Sequence, residues 1–94
     1  MMNEAQTSKA AARLSRIEGQ VRGIRKMVED DRYCVDILTQ TRAVVAALRG
    51  VEDLIMETHL DTCVADAMKD NDPQLQKEKI DEVMSVVSRF RRYG

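Results

Sequence analysis

Aromatic residues make up only 3% of this chain, and tryptophan is absent. Proline occurs once and glycine four times in 94 residues. So few turn formers and large β-formers exclude a sandwich or barrel and suit a chain that is helical throughout. No run approaches the ~20 apolar residues that cross a bilayer, and no signal peptide precedes the first helix, so the chain reads as cytoplasmic with no membrane partner. There is no Gly-rich phosphate loop, no serine elbow and no metal site with an associated general base, so the chain reads as no enzyme. Two cysteines and one histidine are the only thiol and imidazole donors. In a reducing compartment, two cysteines serve as metal, redox or plain core residues rather than as a structural disulfide.

Net charge is −1, which taken alone argues against nucleic acid. The distribution reads differently. Residues 9–26 carry Lys9, Arg13, Arg16, Arg22, Arg25 and Lys26 against Glu18 alone, whereas the acidic excess follows Gly50. A basic end and an acidic end make a polarised surface that the total hides.

The apolar spacing gives three helices in a single domain spanning residues 1–94. Residues 1–6 read as a disordered tail. Helix one is expected from Thr7 or Ser8, with Thr7 as N-cap, to Glu29. Leu14, Ile17, Val21, Ile24 and Val28 form its alternating three-four seam. Beside that seam runs a second line of Lys9, Arg13, Arg16 and Gln20. Asp30 and Asp31 break the pattern and can cap helix two, expected from Arg32 to Lys69 with a possible kink at Gly50. Asn71-Asp72-Pro73 is the clearest punctuation, with Asp72 as N-cap and Pro73 at the first helical position. Helix three is expected from Pro73 to Arg91, burying Ile80, Val83, Met84, Val87 and Phe90. Three such helices enclose little core of their own, so oligomerisation is an expected source of stability. Helices one and two of two copies can form an antiparallel four-helix bundle with helix three outside.

Cys34, His59 and Cys63 all lie on helix two. His59 and Cys63, four apart, can meet on one face. At 1.5 Å rise per residue, Cys34 and His59 stand roughly 38 Å apart along a continuous helix and cannot meet within it. At about 100° per residue the three fall within roughly 20° of one line, the apolar stripe of Ile37, Leu38, Thr41, Val45, Leu48 and Met56. A second copy running antiparallel brings its Cys34 beside His59 and Cys63 of the first, giving an intersubunit Cys/His/Cys site, two per dimer. That arrangement requires that helix two does not fold back at Gly50.

Thiolate and imidazole suit Cu(I), zinc or iron-sulfur chemistry, and three donors without a fourth suit Cu(I) better than a closed zinc site. Cysteine also serves as a small buried hydrophobe and histidine as a satisfied core residue. A thiol sensor using Cys34 and Cys63 alone is a further alternative. The basic line of helix one can neutralise phosphates, or can be a solvated face. It contains no helix-turn-helix, zinc-finger or aromatic stacking pattern, so DNA binding would use an assembled surface.

Four blocks carry a family resemblance: Arg13-Leu14-Ser15-Arg16-Ile17-Glu18-Gly19-Gln20-Val21-Arg22-Gly23, then Asp31-Arg32-Tyr33-Cys34, then His59-Leu60-Asp61-Thr62-Cys63, and finally Ile80-Asp81-Glu82. In their order and spacing the chain resembles the copper-sensing repressors of the CsoR family, within the CsoR/RcnR group, over nearly its whole length. The resemblance implies an all-α homotetramer, a dimer of dimers, that binds double-stranded operator DNA as apoprotein and releases it on binding Cu(I). It implies Cys34 as ligand from one protomer and His59 and Cys63 from the other. Tyr33 and Glu82 match positions that couple His59 to the allosteric change, with Glu78 as the alternative carboxylate. Lys9, Arg13, Arg16 and Arg49 are the residues expected to meet DNA. Nickel and cobalt members recruit an N-terminal His that this chain lacks, and carry His in place of Cys63. Formaldehyde sensors lack the second Cys and persulfide sensors lack the His.

Overall fold

A computed structural model describes residues 2–69 and 71–92, the side chains of Cys63, Arg91 and Arg92 excepted. It consists of three α-helices, α1 (Glu4–Glu29), α2 (Cys34–Lys69) and α3 (Pro73–Arg92). No strand occurs among the described residues, and none of their helices is long and apolar enough to cross a membrane.

Helix α1 starts three residues before the expected Thr7, and residues 4–6 are helix rather than tail. The cause is local. Asn3 holds extended backbone, and its Oδ1 accepts the Gln6 N–H at 2.8 Å, while Gln6 Oε1 accepts the Asn3 N–H at 2.9 Å. This reciprocal capping box satisfies two of the donors that every helix start leaves open.

The α1–α2 corner also differs from expectation. Asp30 and Asp31 close α1 instead of capping α2. The Asp31 N–H donates to Val28 O at 3.2 Å and the Arg32 N–H to Met27 O at 3.0 Å. Asp31 sits at φ 55, the left-handed region. Together these make a Schellman ending in which an aspartate takes the usual glycine position. The chain therefore needs Arg32 and Tyr33 to turn, and α2 begins at Cys34 rather than Arg32. The Tyr33 carbonyl accepts the N–H groups of Asp36 and Ile37 at 3.0 and 3.2 Å, opening the helix. Helix α2 then runs through Gly50 without a break.

At the start of α3, Asp72 Oδ1 accepts the Gln74 N–H at 3.0 Å and the Asp72 carbonyl accepts the Gln76 N–H at 3.1 Å. Pro73 takes the first helical position, as its fixed φ favours. The boundary expected from the sequence is the one observed.

The chain divides into two compact units. The first, Asn3–Leu54, is an antiparallel hairpin of α1 and the N-terminal part of α2. Its core is Ile17, Val44 and Val51, with Ile24 and Ala47 packed against them. Only part of the expected α1 seam is used. Ile17 is buried, but Leu14, Val21 and Val28 are between 39% and 59% exposed. The second unit takes in the chain from Ile55 on. Thr58, Ala67 and Val83 are its buried residues among those described. The expected buried face of α3 is corrected here: Val83 is buried and Val87 half-buried, but Ile80, Met84 and Phe90 are exposed. The inward face is rotated toward Gln76, Lys79 and Val86, which are half-buried.

Candidate metal centre

Cys34 is the first residue of α2, and its thiol is free and exposed. The Schellman corner fixes where it stands, because the turn at Asp31 ends three residues earlier. Tyr33, beside it, is also exposed and contributes its carbonyl to the start of α2. His59 lies further along the same helix and is half-buried. It follows Thr58, which at 2% exposure is the most deeply buried polar residue described. The Thr62 hydroxyl donates to the Thr58 carbonyl at 3.0 Å, so the turn that carries His59 is tied along its own axis. Cys63 belongs to α2 by its backbone, and its side chain lies outside the described residues.

Among the described residues no three His, Cys, Asp or Glu side chains gather into a metal-holding group. On α3, Glu82 is exposed. Glu78 accepts a long hydrogen bond from Gln74 Nε2 at 3.5 Å, so of the two carboxylates Glu78 is the one already engaged.

The hairpin unit has two distinct faces. Arg13 reaches across from α1, and its Nη1 donates to the Gly50 carbonyl of α2 at 3.4 Å. Lys9 and Arg16 flank Arg13 on the same side of α1 and are exposed. In an antiparallel pair, the opposite flank of α1 then shares a side with the opposite flank of α2. On α1 that flank holds Leu14, Val21 and Val28. On α2 it holds Leu38, Val45 and Leu48, between 41% and 61% exposed, in line with Cys34 at about 100° per residue. One face of the hairpin thus carries the basic line of α1, and the other an exposed row of apolar side chains, with Glu52 on the same line of α2 and a thiol at its edge. Arg49 is exposed on α2 but lies away from Arg13, toward the outer side of the helix. Arg42, two turns before Arg49 on that outer side, is also exposed. The sequence singles out Arg49 and passes over Arg42, whose signal is the seven-residue spacing that puts both on one side of the helix.

The profile of a family described as metal-sensitive transcriptional repressor matches residues 6–89. The copper-sensing transcriptional repressor CsoR of Bacillus subtilis is 51% identical over 80 residues, covering 85% of this chain and 76% of that protein. The crystal structure of the copper-sensing repressor CsoR with Cu(I) from Geobacillus thermodenitrificans superposes with a TM-score of 0.79 at 42% identity, covering 97% of this chain and 92% of that one. The nickel-responsive transcriptional regulator InrS superposes with a TM-score of 0.77 at 35% identity, covering 88% and 90%. One fold thus serves regulators of different metals, so the choice of metal rests on the donor residues.

Proposed function

We propose that this chain, which belongs to the family of metal-sensitive transcriptional repressors, holds operator DNA as apoprotein and leaves it on binding Cu(I). The family is one of regulators and not of enzymes. The observation that carries the reading is α2. It is a single unbroken helix with a free, exposed thiol at its first residue and with His59 and Cys63 far along it. At 3.6 residues per turn, about seven turns separate Cys34 from His59, so one chain cannot bring them to one ion. A second copy, antiparallel across the exposed apolar face, can. Cys34 of one copy with His59 and Cys63 of the other would hold the ion, and two sulfurs and one imidazole fit Cu(I) rather than Ni(II). When bound, Cu(I) supplies a soft-ligand tie between helices of two copies.

Oligomerisation is supported by area. The chain leaves 7519 Å² accessible. Compact monomers follow a mass law that gives roughly 5,500 Å² for this chain, and roughly 6,600 Å² even with its two units counted as separate molecules. The surplus agrees with the uncovered apolar residues of both units and supports association with further copies; a dimer of dimers is the assembly we propose. Tyr33, next to the Cys34 ligand, and Glu82 are the groups we assign to orienting His59. A hydrogen bond to the far imidazole nitrogen fixes the ring and so reports occupancy. Lys9, Arg13, Arg16 and Arg49 are assigned to phosphate contacts, which position a protein on double-stranded DNA. A cytoplasmic location follows from that task. Release requires that Cu(I) bind the DNA-free state more tightly than the bound state. A hundredfold preference corresponds to about 2.7 kcal/mol of coupling.

The test is an anaerobic Cu(I) titration of reduced protein against a competing chelator, followed by operator release. One tight Cu(I) per protomer, lost in Cys34→Ala and in His59→Ala, is expected. The exposed, free Cys34 thiol favours one second reading, a thiol sensor. That reading takes over if Cu(I) binds weakly and polysulfide instead crosslinks Cys34 to Cys63.

A further inference from the structure

Arg42 and Asp53 are both exposed on α2 within the first unit, and among the described residues neither has an ion-pair or hydrogen-bond partner. They are eleven positions apart on one helix, too far to meet each other. Taken round the helix at about 100° per residue, Arg42 stands roughly 80° and Asp53 roughly 100° from the Cys34 line, on the same flank. That is the angular place from which charged side chains border an apolar helix seam and select its partner and register.

The antiparallel pairing proposed above has a definite register, and this inference rests on that reading. If Cys34 of one copy stands level with the His59–Cys63 turn of the other, facing residues have numbers that sum to about 95. Leu48, 41% exposed, then lies beside the twofold axis and meets its own counterpart. Arg42 then stands level with Asp53 of the second copy. A twofold axis perpendicular to two antiparallel helices keeps each flank on its own side, so both residues face the same edge of the seam. The contact is isologous and occurs twice.

We propose that Arg42 of each copy pairs with Asp53 of the other, and that these two ion pairs fix the register that brings Cys34 to His59 and Cys63. The occupant of the apolar face is therefore a second copy of this chain, chosen by charge complementarity. A slip of one turn in one direction brings each Arg42 level with Arg49 of the other copy, a like charge, and in the other direction level with Met56 and Glu57; either slip separates the metal donors. Arg49, one turn before Asp53 on its own helix, is the competing cation. It cannot produce the cross-copy signature tested here.

The experiment uses two full-length variants, Arg42→Glu and Asp53→Lys, with circular dichroism as the check that each is folded. Each homodimer then carries two like-charge contacts, and its dissociation constant in low-salt sedimentation is expected to rise about tenfold. Mixed in equal amounts, the two variants set the introduced carboxylate of one against the introduced ammonium of the other. The same mixed dimer regains the native pair on its other side. Native mass spectrometry is then expected to show the mixed dimer well above its statistical half. A statistical mixture from a dimeric wild type overturns the pairing while leaving the copper reading intact. A monomeric wild type, or one with no Cu(I) site across copies, sinks that reading and the pairing with it. Substituting residue 42 or 53 should also weaken Cu(I) binding in each homodimer and restore it in the mixture, an effect that a change in bulk charge would not produce.

Discussion

Asp31 offers a direct test of the corner that delivers Cys34. Its φ of 55 is a conformation that costs an L-residue about 1–2 kcal/mol, with aspartate at the low end because its short side chain tolerates the region. Glycine removes that cost but loses about 0.5–1 kcal/mol of extra backbone entropy on folding. Asp31→Gly should therefore stabilise each chain slightly, by at most about 0.5 kcal/mol. Asp31→Asn should be near neutral, because asparagine is the other residue that closes helices this way. Asp31→Val should be worse by about 1–3 kcal/mol, since a β-branched residue is a genuine outlier there. The span from glycine to valine is then about 2 kcal/mol. At roughly 4–8 °C per kcal/mol for a domain of this size, it opens a gap of about 10 °C in melting temperature. The assay is thermal unfolding followed by far-UV circular dichroism, at one fixed protomer concentration because an oligomer's midpoint depends on it. Equal midpoints for the three variants would refute the left-handed assignment. A valine variant that melts early but keeps full Cu(I) affinity while folded would show that the corner supports the fold without placing the thiol.

Three further outcomes are expected. Gly50→Ala should raise stability by about 0.5–1 kcal/mol, because an interior helical glycine is costly and the added methyl would meet only Arg13 Nη1, at 4.0 Å; chemical denaturation reads it. Asn3→Ala removes the capping box and should cost about 1 kcal/mol, concentrated in fraying of the first turn, which amide exchange resolves. Arg13→Ala should weaken operator binding across sequences and lower the salt slope of the binding constant by about one. An unchanged slope would confine Arg13 to its contact with the Gly50 carbonyl.

Much of this was legible from residue order. Periodicity gave three helices, and Asp72-Pro73 marked the α3 start, because a capping aspartate followed by proline has few other uses. The early start of α1 was also written in the chain, as Asn3 followed three residues later by Gln6, but Thr7 offered a competing cap nearer the apolar seam. The Asp30-Asp31 corner differs from the sequence expectation for another reason. An aspartate in the left-handed region closes the preceding helix, whereas the same residue in extended backbone opens the next one, and composition does not distinguish them. The seams were overfilled because spacing reports that residues share a face, not what covers it. Leu14, Val21 and Val28 look like core by period and are open in the chain. The candidate metal residues were legible as three soft donors on one helical line. Their assembly was legible only by inference, since it needs a second copy.

The unbroken course of α2 through Gly50 carries a consequence for how such a chain can change over generations. Between Cys34 and His59 the helix acts as a ruler. Deleting a single residue there would swing everything beyond it by about 100° and shift it by about 1.5 Å. The donors proposed for two copies would then no longer share a side. Insertions at the corners, 30–33 or 71–72, have no such effect. Descendants of this protein should therefore vary in residue type on the parts of α2 that neither pack nor pair, and in length at its ends, while keeping the count from Cys34 to His59 fixed.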